Sequence, residues 1–262
     1  MSHIKIQLKK FLEPYACAFV CFSGGLDSCL LLKEVHDIMG ERVDAITFTS
    51  PLQTRKNIKD AEILADKLGI THSIIDYNPL TEEIIRTNKR ERCYLCKTRM
   101  FSIAYGLASG KRKSTVILDG THMGDDPLSR PGMRAGKEFG IRSPWRELGY
   151  GKEEIRNLAR DEGLYLWDRS SDSCLATRFP RDYTLTVEAL GKLEMAEEVL
   201  RGFGLKDFRL RPADSPPGLI LSEEDYSIVQ ALGLKKICNS IMIETGWHLE
   251  NCSVFLTQPG RT

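Results

Sequence analysis

The chain has no excess of either charge: 37 Lys and Arg stand against 36 Asp and Glu, a formal net charge of +1. Proteins that live on bare duplex nucleic acid show a basic balance or a basic stripe, so nucleic acid is not the expected partner. No run approaches the roughly 20 apolar residues of a membrane helix, and no membrane partner is expected. Met1 to Glu13 is polar and lysine-containing and lacks the apolar centre of a signal peptide, which makes a cytoplasmic location the simplest expectation. There is no GxxxxGKS/T string, no internal repeat and no low-complexity segment. In a reducing compartment the eight cysteines are expected to be buried thiols or metal ligands rather than disulfides.

What is present is an alternation. Ala16–Phe22 reads as a buried strand and Leu26–Met39 as a helix; Val43–Thr49 and Asn57–Leu68 repeat the pair. Ser73–Asp76 and Thr115–Asp119 read as further strands, with helices around Cys96–Ala108 and Lys152–Glu162. This predicts an α/β fold, a parallel sheet with helices on both faces and ligands at the carboxyl ends of its strands. The rhythm changes near Pro180, so residues 1–180 are expected to form the α/β domain and residues 181–262 a small α+β domain. The second domain is read as a helix over Thr186–Phe203, strands at Asp207–Arg211 and Gly218–Leu221, a helix over Ser222–Leu232 and a closing strand at Lys236–Glu244. Trp145 and Trp167 are expected to pack rather than stack on a ligand.

Between the first strand and the first helix lies Ser23-Gly24-Gly25-Leu26-Asp27-Ser28. Two glycines let the backbone turn tightly and approach an anion, and the helix start that follows offers free N–H groups and a positive dipole end. Ser23 and Ser28 add hydroxyl donors. Asp27 disfavours a bare phosphate and is expected to act through Mg²⁺ or by fixing the loop. Five specified residues in a row arise by chance in about one chain in a few thousand. The string resembles the PP-loop ATP pyrophosphatase superfamily, whose members release pyrophosphate from ATP and adenylate a substrate oxygen.

Cys93-Tyr94-Leu95-Cys96 places two thiols three residues apart, within reach of one metal centre. Two ligands are too few for a structural zinc or an iron–sulfur cluster, and Cys174 is the best candidate for a third. Arg92, Lys97, Arg99 and Arg178 stand near these cysteines in sequence, and cationic surroundings favour thiolates. Cys17, Cys21 and Cys29 fall in the first strand and helix and are read as small apolar residues. Cys238 and Cys252 lack partners at ligand spacing and are read the same way.

Six strings occur in order: Ser23–Ser28, Arg92–Lys97, Leu118-Asp119-Gly120-Thr121, Arg130-Pro131-Gly132, Gly140–Pro144 and Ser173–Pro180. Together they resemble the LarE family, sulfur transferases of nickel-pincer nucleotide biosynthesis. The resemblance implies adenylation of a carboxylate on a small nucleotide substrate, followed by its conversion to a thiocarboxylate. It places Ser23, Gly24, Gly25, Leu26, Asp27, Ser28, Gly120 and Thr121 around ATP and Mg²⁺. Asp27, Lys97 and Cys174 form the expected catalytic set, and Arg178, Arg209 and Arg211 bind substrate. Some members of the family sacrifice the sulfur of one cysteine, at the position of Cys174. Others carry three cysteines, matching Cys93, Cys96 and Cys174, and bind a [4Fe-4S] cluster whose open iron takes sulfide. This chain has the second pattern, and sulfide or another sulfur donor is the implied partner; a homo-oligomer is expected.

The pattern is departed from in places. His122 stands where asparagine is usual, Asp125-Asp126 is displaced by a residue, and Thr177 replaces serine. After Arg209 and Arg211 the chain reads Pro216-Pro217-Gly218-Leu219-Ile220-Leu221, without the acid the family places there, which leaves the acceptor open. A cluster-dependent tRNA thiolase is the alternative enzyme, disfavoured by the near-neutral charge. An amide- or nitrile-forming zinc enzyme of the pre-queuosine type would need a fourth clustered cysteine. A non-enzymatic sulfide carrier is the third alternative.

Overall fold

The computed structural model describes residues 3–110, 114–169, 173–249 and 251–257. In chain order its elements are α1 (His3–Leu12), β1 (Cys17–Cys21), α2 (Leu26–Met39), β2 (Val43–Thr49), α3 (Arg55–Leu68), β3 (Thr71–Asp76), α4 (Glu83–Arg86), α5 (Arg92–Ser109) and β4 (Thr115–Asp119). Then follow α6 (Gly132–Glu138), α7 (Pro144–Glu147), α8 (Lys152–Asp161), α9 (Val187–Gly202), β5 (Phe208–Arg211), β6 (Gly218–Leu221), α10 (Glu223–Leu232), α11 (Leu234–Thr245) and β7 (Ser253–Leu256). Among the described residues no helix is long and apolar enough to cross a membrane.

The chain divides into two compact units. The first holds Met1–Ser50, Arg55–Asn78 and Glu91–Arg169. Its four-stranded sheet runs β3-β2-β1-β4, and every neighbouring pair is parallel. Successive residues of a strand point to opposite faces, and here both faces are covered. Ala18 and Val20 of β1, with Val43 and Ala45 of β2, bury against α1, α2, α3 and α8. Phe19, Ile46 and Phe48 bury on the other side with Phe101 and Ala104 of α5 and Ala135 of α6. Two-sided burial is why these strands read as continuous apolar runs rather than alternating ones. Helix α1, absent from the sequence reading, buries Leu8 and Leu12, and its Lys5 pairs with Glu162 at 2.6 Å.

The second unit holds Pro51–Thr54, Pro79–Arg90 and Ser170–Thr262. The division therefore falls ahead of residue 180, and two short early segments join the later residues. Hydrogen bonds supply the reason. Leu175 N–H donates to the Leu52 carbonyl at 2.9 Å, and Leu185 N–H donates to that of Arg86 at 2.7 Å. Helix α9 packs on β5 and α11. Thr186 caps α9 by accepting from Ala189 N–H at 3.0 Å, and Ser222 caps α10 by accepting from Asp225 N–H at 3.1 Å. The three-stranded sheet runs β5-β6-β7, antiparallel then parallel.

One element of this unit corrects the sequence reading. Lys236–Glu244 is not a strand but lies within α11. Its buried residues are Ile237, Ile241 and Thr245, a four-residue spacing that is helical, although isoleucines invite a strand assignment. Gly233, at φ 85°, separates this helix from α10. Among the described residues the last strand is β7.

Candidate functional site

The phosphate loop sits between β1 and α2, at a carboxyl edge of the parallel sheet. Gly24 has φ 79°, and a Cβ there would lie 1.8 Å from the Asn57 carbonyl oxygen at the start of α3. No other residue fits that position without moving α3. The hydrogen bonds of α2 begin with Cys29 N–H to the Gly25 carbonyl at 3.0 Å, so the N–H groups of Leu26, Asp27 and Ser28 have no acceptor inside the helix. Ser28 Oγ donates to the Gly25 carbonyl at 3.0 Å and accepts from Ser23 N–H at 3.2 Å. Ser23 Oγ, on an exposed residue, lies 3.5 Å from Ser28 Oγ. The loop is thus closed on itself, with Ser23 exposed and the unpaired first-turn N–H groups of α2 behind it, the elements an anion cradle uses.

Asp27 is held from two directions. Lys152, at the start of α8, places Nζ 2.7 Å from both carboxylate oxygens. The fully buried Trp145 donates its indole N–H to the Asp27 carbonyl at 2.9 Å. Trp145 therefore packs, as expected, and also anchors the loop, whereas Trp167 is 38% exposed. Sequence reasoning missed Lys152, because 125 residues separate it from Asp27 and only the fold brings them together.

Strand β4 brings the second string beside the first. A Cβ on Gly120 would come within 2.8 Å of Ser28 N and 2.9 Å of its Cα, so a bare backbone is needed for the strand end to touch the loop. Asp119 accepts from Thr121 N–H at 3.2 Å, from Thr121 Oγ1 at 2.9 Å and from Ser143 Oγ at 2.6 Å. Arg142 exchanges backbone hydrogen bonds with the end of β4, its N–H donating to Ile117 and its carbonyl accepting from Asp119. The Gly140–Pro144 string thereby extends the sheet edge and presents Ser143. His122 is buried; its Nδ1 accepts from Gly124 N–H at 3.0 Å and its N–H donates to Asp125 at 3.0 Å. Asp125 also pairs with Arg130 at 2.9 Å. The His122 departure is thus built into the local turn.

Cys93 and Cys96 lie on the first turns of α5, both half-buried. Three residues apart on a helix, they share a face. Lys97 points its Nζ over the Phe101 ring at 5.0 Å. Helix α6 packs closely there, because a Cβ on Gly132 would fall 2.8 Å from Lys97 Cγ. Arg134 of α6 sits over the Tyr94 ring at 3.6 Å, and Tyr94 OH donates to Glu138 at 2.7 Å. The Arg130-Pro131-Gly132 string is thus the means by which a second helix braces the cysteine-bearing one. Cys21 is different: burial pushes its thiol up to about 12. Burial likewise raises that of Cys29. Both stay protonated, as small apolar residues do.

Cys174 belongs to the second unit and stands, half-buried, at the head of a short 3-10 turn over Leu175–Arg178. Thr177 Oγ1 donates to the Cys174 carbonyl at 2.7 Å, the bond expected of the serine it replaces. Arg178 is only 2% exposed. Its Nε donates to Glu197 of α9 at 2.9 Å, and its NH1 to the Ser173 carbonyl at 2.9 Å and Ser173 Oγ at 2.5 Å. Arg178, expected among the substrate ligands, holds the cysteine turn through these contacts. Asn88, unremarked in the sequence, is fully buried at φ 52°. It donates to the carbonyls of Ala176, Phe179 and Pro180 at 3.3, 3.1 and 2.7 Å. Arg209 and Arg211 alternate with buried Phe208 and Leu210 on β5 and share the opposite face. Burial and the nearby Arg178 charge hold the Arg209 guanidinium below its ordinary range; Arg211 is exposed and pairs with Asp214 at 3.7 Å.

A family model described as queuosine biosynthesis protein QueC matches residues 17–92, the stretch from β1 to the residue before the CxxC. A pyridinium-3,5-bisthiocarboxylic acid mononucleotide synthase from Lactiplantibacillus plantarum is 33% identical over 195 residues, covering 73% of this chain and 70% of that protein. The chain belongs to the LarE family. An uncharacterised protein of Synechocystis is 35% identical to this LarE-family chain over 204 residues, covering 78% of this chain and 76% of its relative. One from Methanocaldococcus jannaschii is 31% identical over 240 residues, covering 86% and 89%. The chain's parallel four-stranded sheet with helices around it has the PP-loop α/β fold.

Proposed function

We propose that this protein is an ATP-dependent sulfur transferase that activates a carboxylate of a small nucleotide as its adenylate and converts it to a thiocarboxylate. The observation that carries the reading is the self-closed Ser23–Ser28 loop, with Asp27 clasped by Lys152 and Gly120 pressed against Ser28.

In this reading the first-turn N–H groups and the Ser23 and Ser28 hydroxyls hold the β- and γ-phosphates. A substrate carboxylate oxygen attacks the α-phosphorus, and the bond to the β-phosphate breaks, releasing pyrophosphate. Hydrosulfide then attacks the acyl carbon, and the C–O bond to AMP breaks. Asp27 would hold Mg²⁺, which would screen phosphate charge, and Lys152, paired with Asp27 at 2.7 Å, would bring a cation to the same place. Gly120 and Thr121 line the nucleotide, and Arg209 and Arg211 offer the substrate phosphate two cations on one strand face.

The donor set of Cys93, Cys96 and Cys174 fits a [4Fe-4S] cluster in chemistry: thiols at helical spacing with cations nearby, on a braced helix, and a third on a turn fixed by Asn88 and Arg178. When bound, such a cluster held by three thiolates supplies one iron open to sulfide. Lys97, next to Cys96 in sequence, would supply a positive charge to offset that of the thiolates.

The test uses anaerobically reconstituted protein with ATP, sulfide and a pyridinium carboxylate mononucleotide. About four irons per chain are expected, with several turnovers and Cys174 unchanged by mass spectrometry. Cys93→Ala, Cys96→Ala or Cys174→Ala should degrade the cluster, and Cys17→Ala should not. A chain lighter by H₂S in proportion to product, with dehydroalanine at Cys174, would refute the cluster-borne route and leave ATP activation standing.

A further inference from the structure

Sequence spacing gave Cys238 and Cys252 no partner, yet the fold makes them partners of each other. Cys238 lies on α11 and Cys252 just ahead of β7. Both are half-buried, both line one cavity of about 520 Å³, and their thiols are close enough to perturb one another. Cys252 Sγ also lies 3.8 Å from the Ser253 carbonyl. Lys235, Met242 and His248 line the same cavity. Among the described residues the pair has no third His, Cys, Asp or Glu close enough to complete a metal site. What the arrangement offers is two adjacent thiols at the wall of a space large enough for a small sulfur compound.

We propose that Cys238 and Cys252 form a thiol–disulfide exchange site for low-molecular-weight disulfides, with Cys238 as the attacking thiol and Cys252 as the resolving one. The assignment of roles follows from Cys252, whose S–H is donated to the Ser253 carbonyl at 3.8 Å and so is held on its sulfur. Their proximity acts in the same direction, lowering the Cys238 thiol and raising that of Cys252, and the thiolate is the nucleophile. Cys238 thiolate attacks one sulfur of a disulfide RSSR, forming Cys238–S–SR and releasing RS⁻. Cys252 then loses its proton and attacks the Cys238 sulfur, forming the Cys238–Cys252 disulfide and releasing the second RS⁻. Two electrons pass from the protein thiols to the small disulfide, and the two leaving thiolates take up the two protons. The product ties α11 to β7, an edge strand of the three-stranded sheet. A dithiol reductant reverses it.

The site shares no residue with the phosphate loop or the Cys93, Cys96 and Cys174 set, so its failure and theirs are separable. Fully reduced protein is treated anaerobically with oxidised glutathione, its remaining thiols are alkylated, and the peptides are weighed. A peptide joining Cys238 to Cys252, lighter by two hydrogens and absent after dithiothreitol, is the expected result. Cys252→Ser should trap glutathione on Cys238. In Cys238→Ser, Cys252 should react about tenfold more slowly or worse than Cys238 does in its own single variant. Recovery of both cysteines alkylated from the wild-type chain would overturn the proposal, and so would faster capture of glutathione by Cys252 than by Cys238. The wild-type measurement stands alone if a variant fails to fold.

Discussion

The phosphate loop and the Cys174 turn are built in opposite ways. The loop is contiguous: Ser23, Gly25 and Ser28 hold one another, and helix α2 supplies the donors. The turn is held from a distance by Asn88, 88 to 92 residues away, and by Glu197, 19 residues from Arg178. A contiguous motif tolerates change around it and fails when one of its own residues is altered. A turn clamped from elsewhere fails when its clamps go, even with its cysteine intact.

The comparison breaks most visibly at Asp27. Asp27→Ala or Ser28→Ala should lower ATP-to-AMP turnover about 100-fold or more, the scale of losing a preorganised group at developing charge, while thermal unfolding stays near wild type. Retained turnover in both variants would end the phosphate-loop assignment. Next in size is Arg178→Ala, which leaves buried Glu197 without its nearest cation and should cost about 3 kcal/mol in urea unfolding. If Arg178 served only substrate, stability would hold and KM alone would rise. Asn88→Ala removes the donor to three carbonyls and should cost about 2 kcal/mol, with cluster content falling alongside. Lys152→Ala should slow pyrophosphate release about tenfold, and Lys152→Arg should restore part of it; an unchanged rate would make the Asp27 pair purely structural. Thr186→Ala, the loss of one helix cap, should cost about 1 kcal/mol and leave turnover untouched.

The same contrast explains what could be read in advance. The alternation of strands and helices, the loop, and the caps at Thr186 and Ser222 are local features, and local sequence carries them. The early segments that join the second unit do so through Leu52, Arg86 and Asn88, single residues whose partners lie in the later chain. Lys152 is an ordinary helix-start lysine until the sheet brings it to Asp27. The family resemblance makes Arg178 a substrate ligand, and its burial against Glu197, which shows that it also holds the turn, has no sign in local sequence. Lys236–Glu244 reads as a strand because its β-branched residues hide the four-residue spacing of Ile237 and Ile241. Cys238 and Cys252 look solitary because they fall on different parts of the chain and only the fold brings both to one cavity wall.

The most direct test of the account is the identity of the nucleotide product. Wild-type protein incubated with ATP, Mg²⁺ and a pyridinium carboxylate mononucleotide should yield AMP and pyrophosphate in equal amounts, with no ADP. Release of ADP and phosphate would contradict cleavage between the α- and β-phosphates, and with it the adenylate on which the proposed sulfur transfer depends.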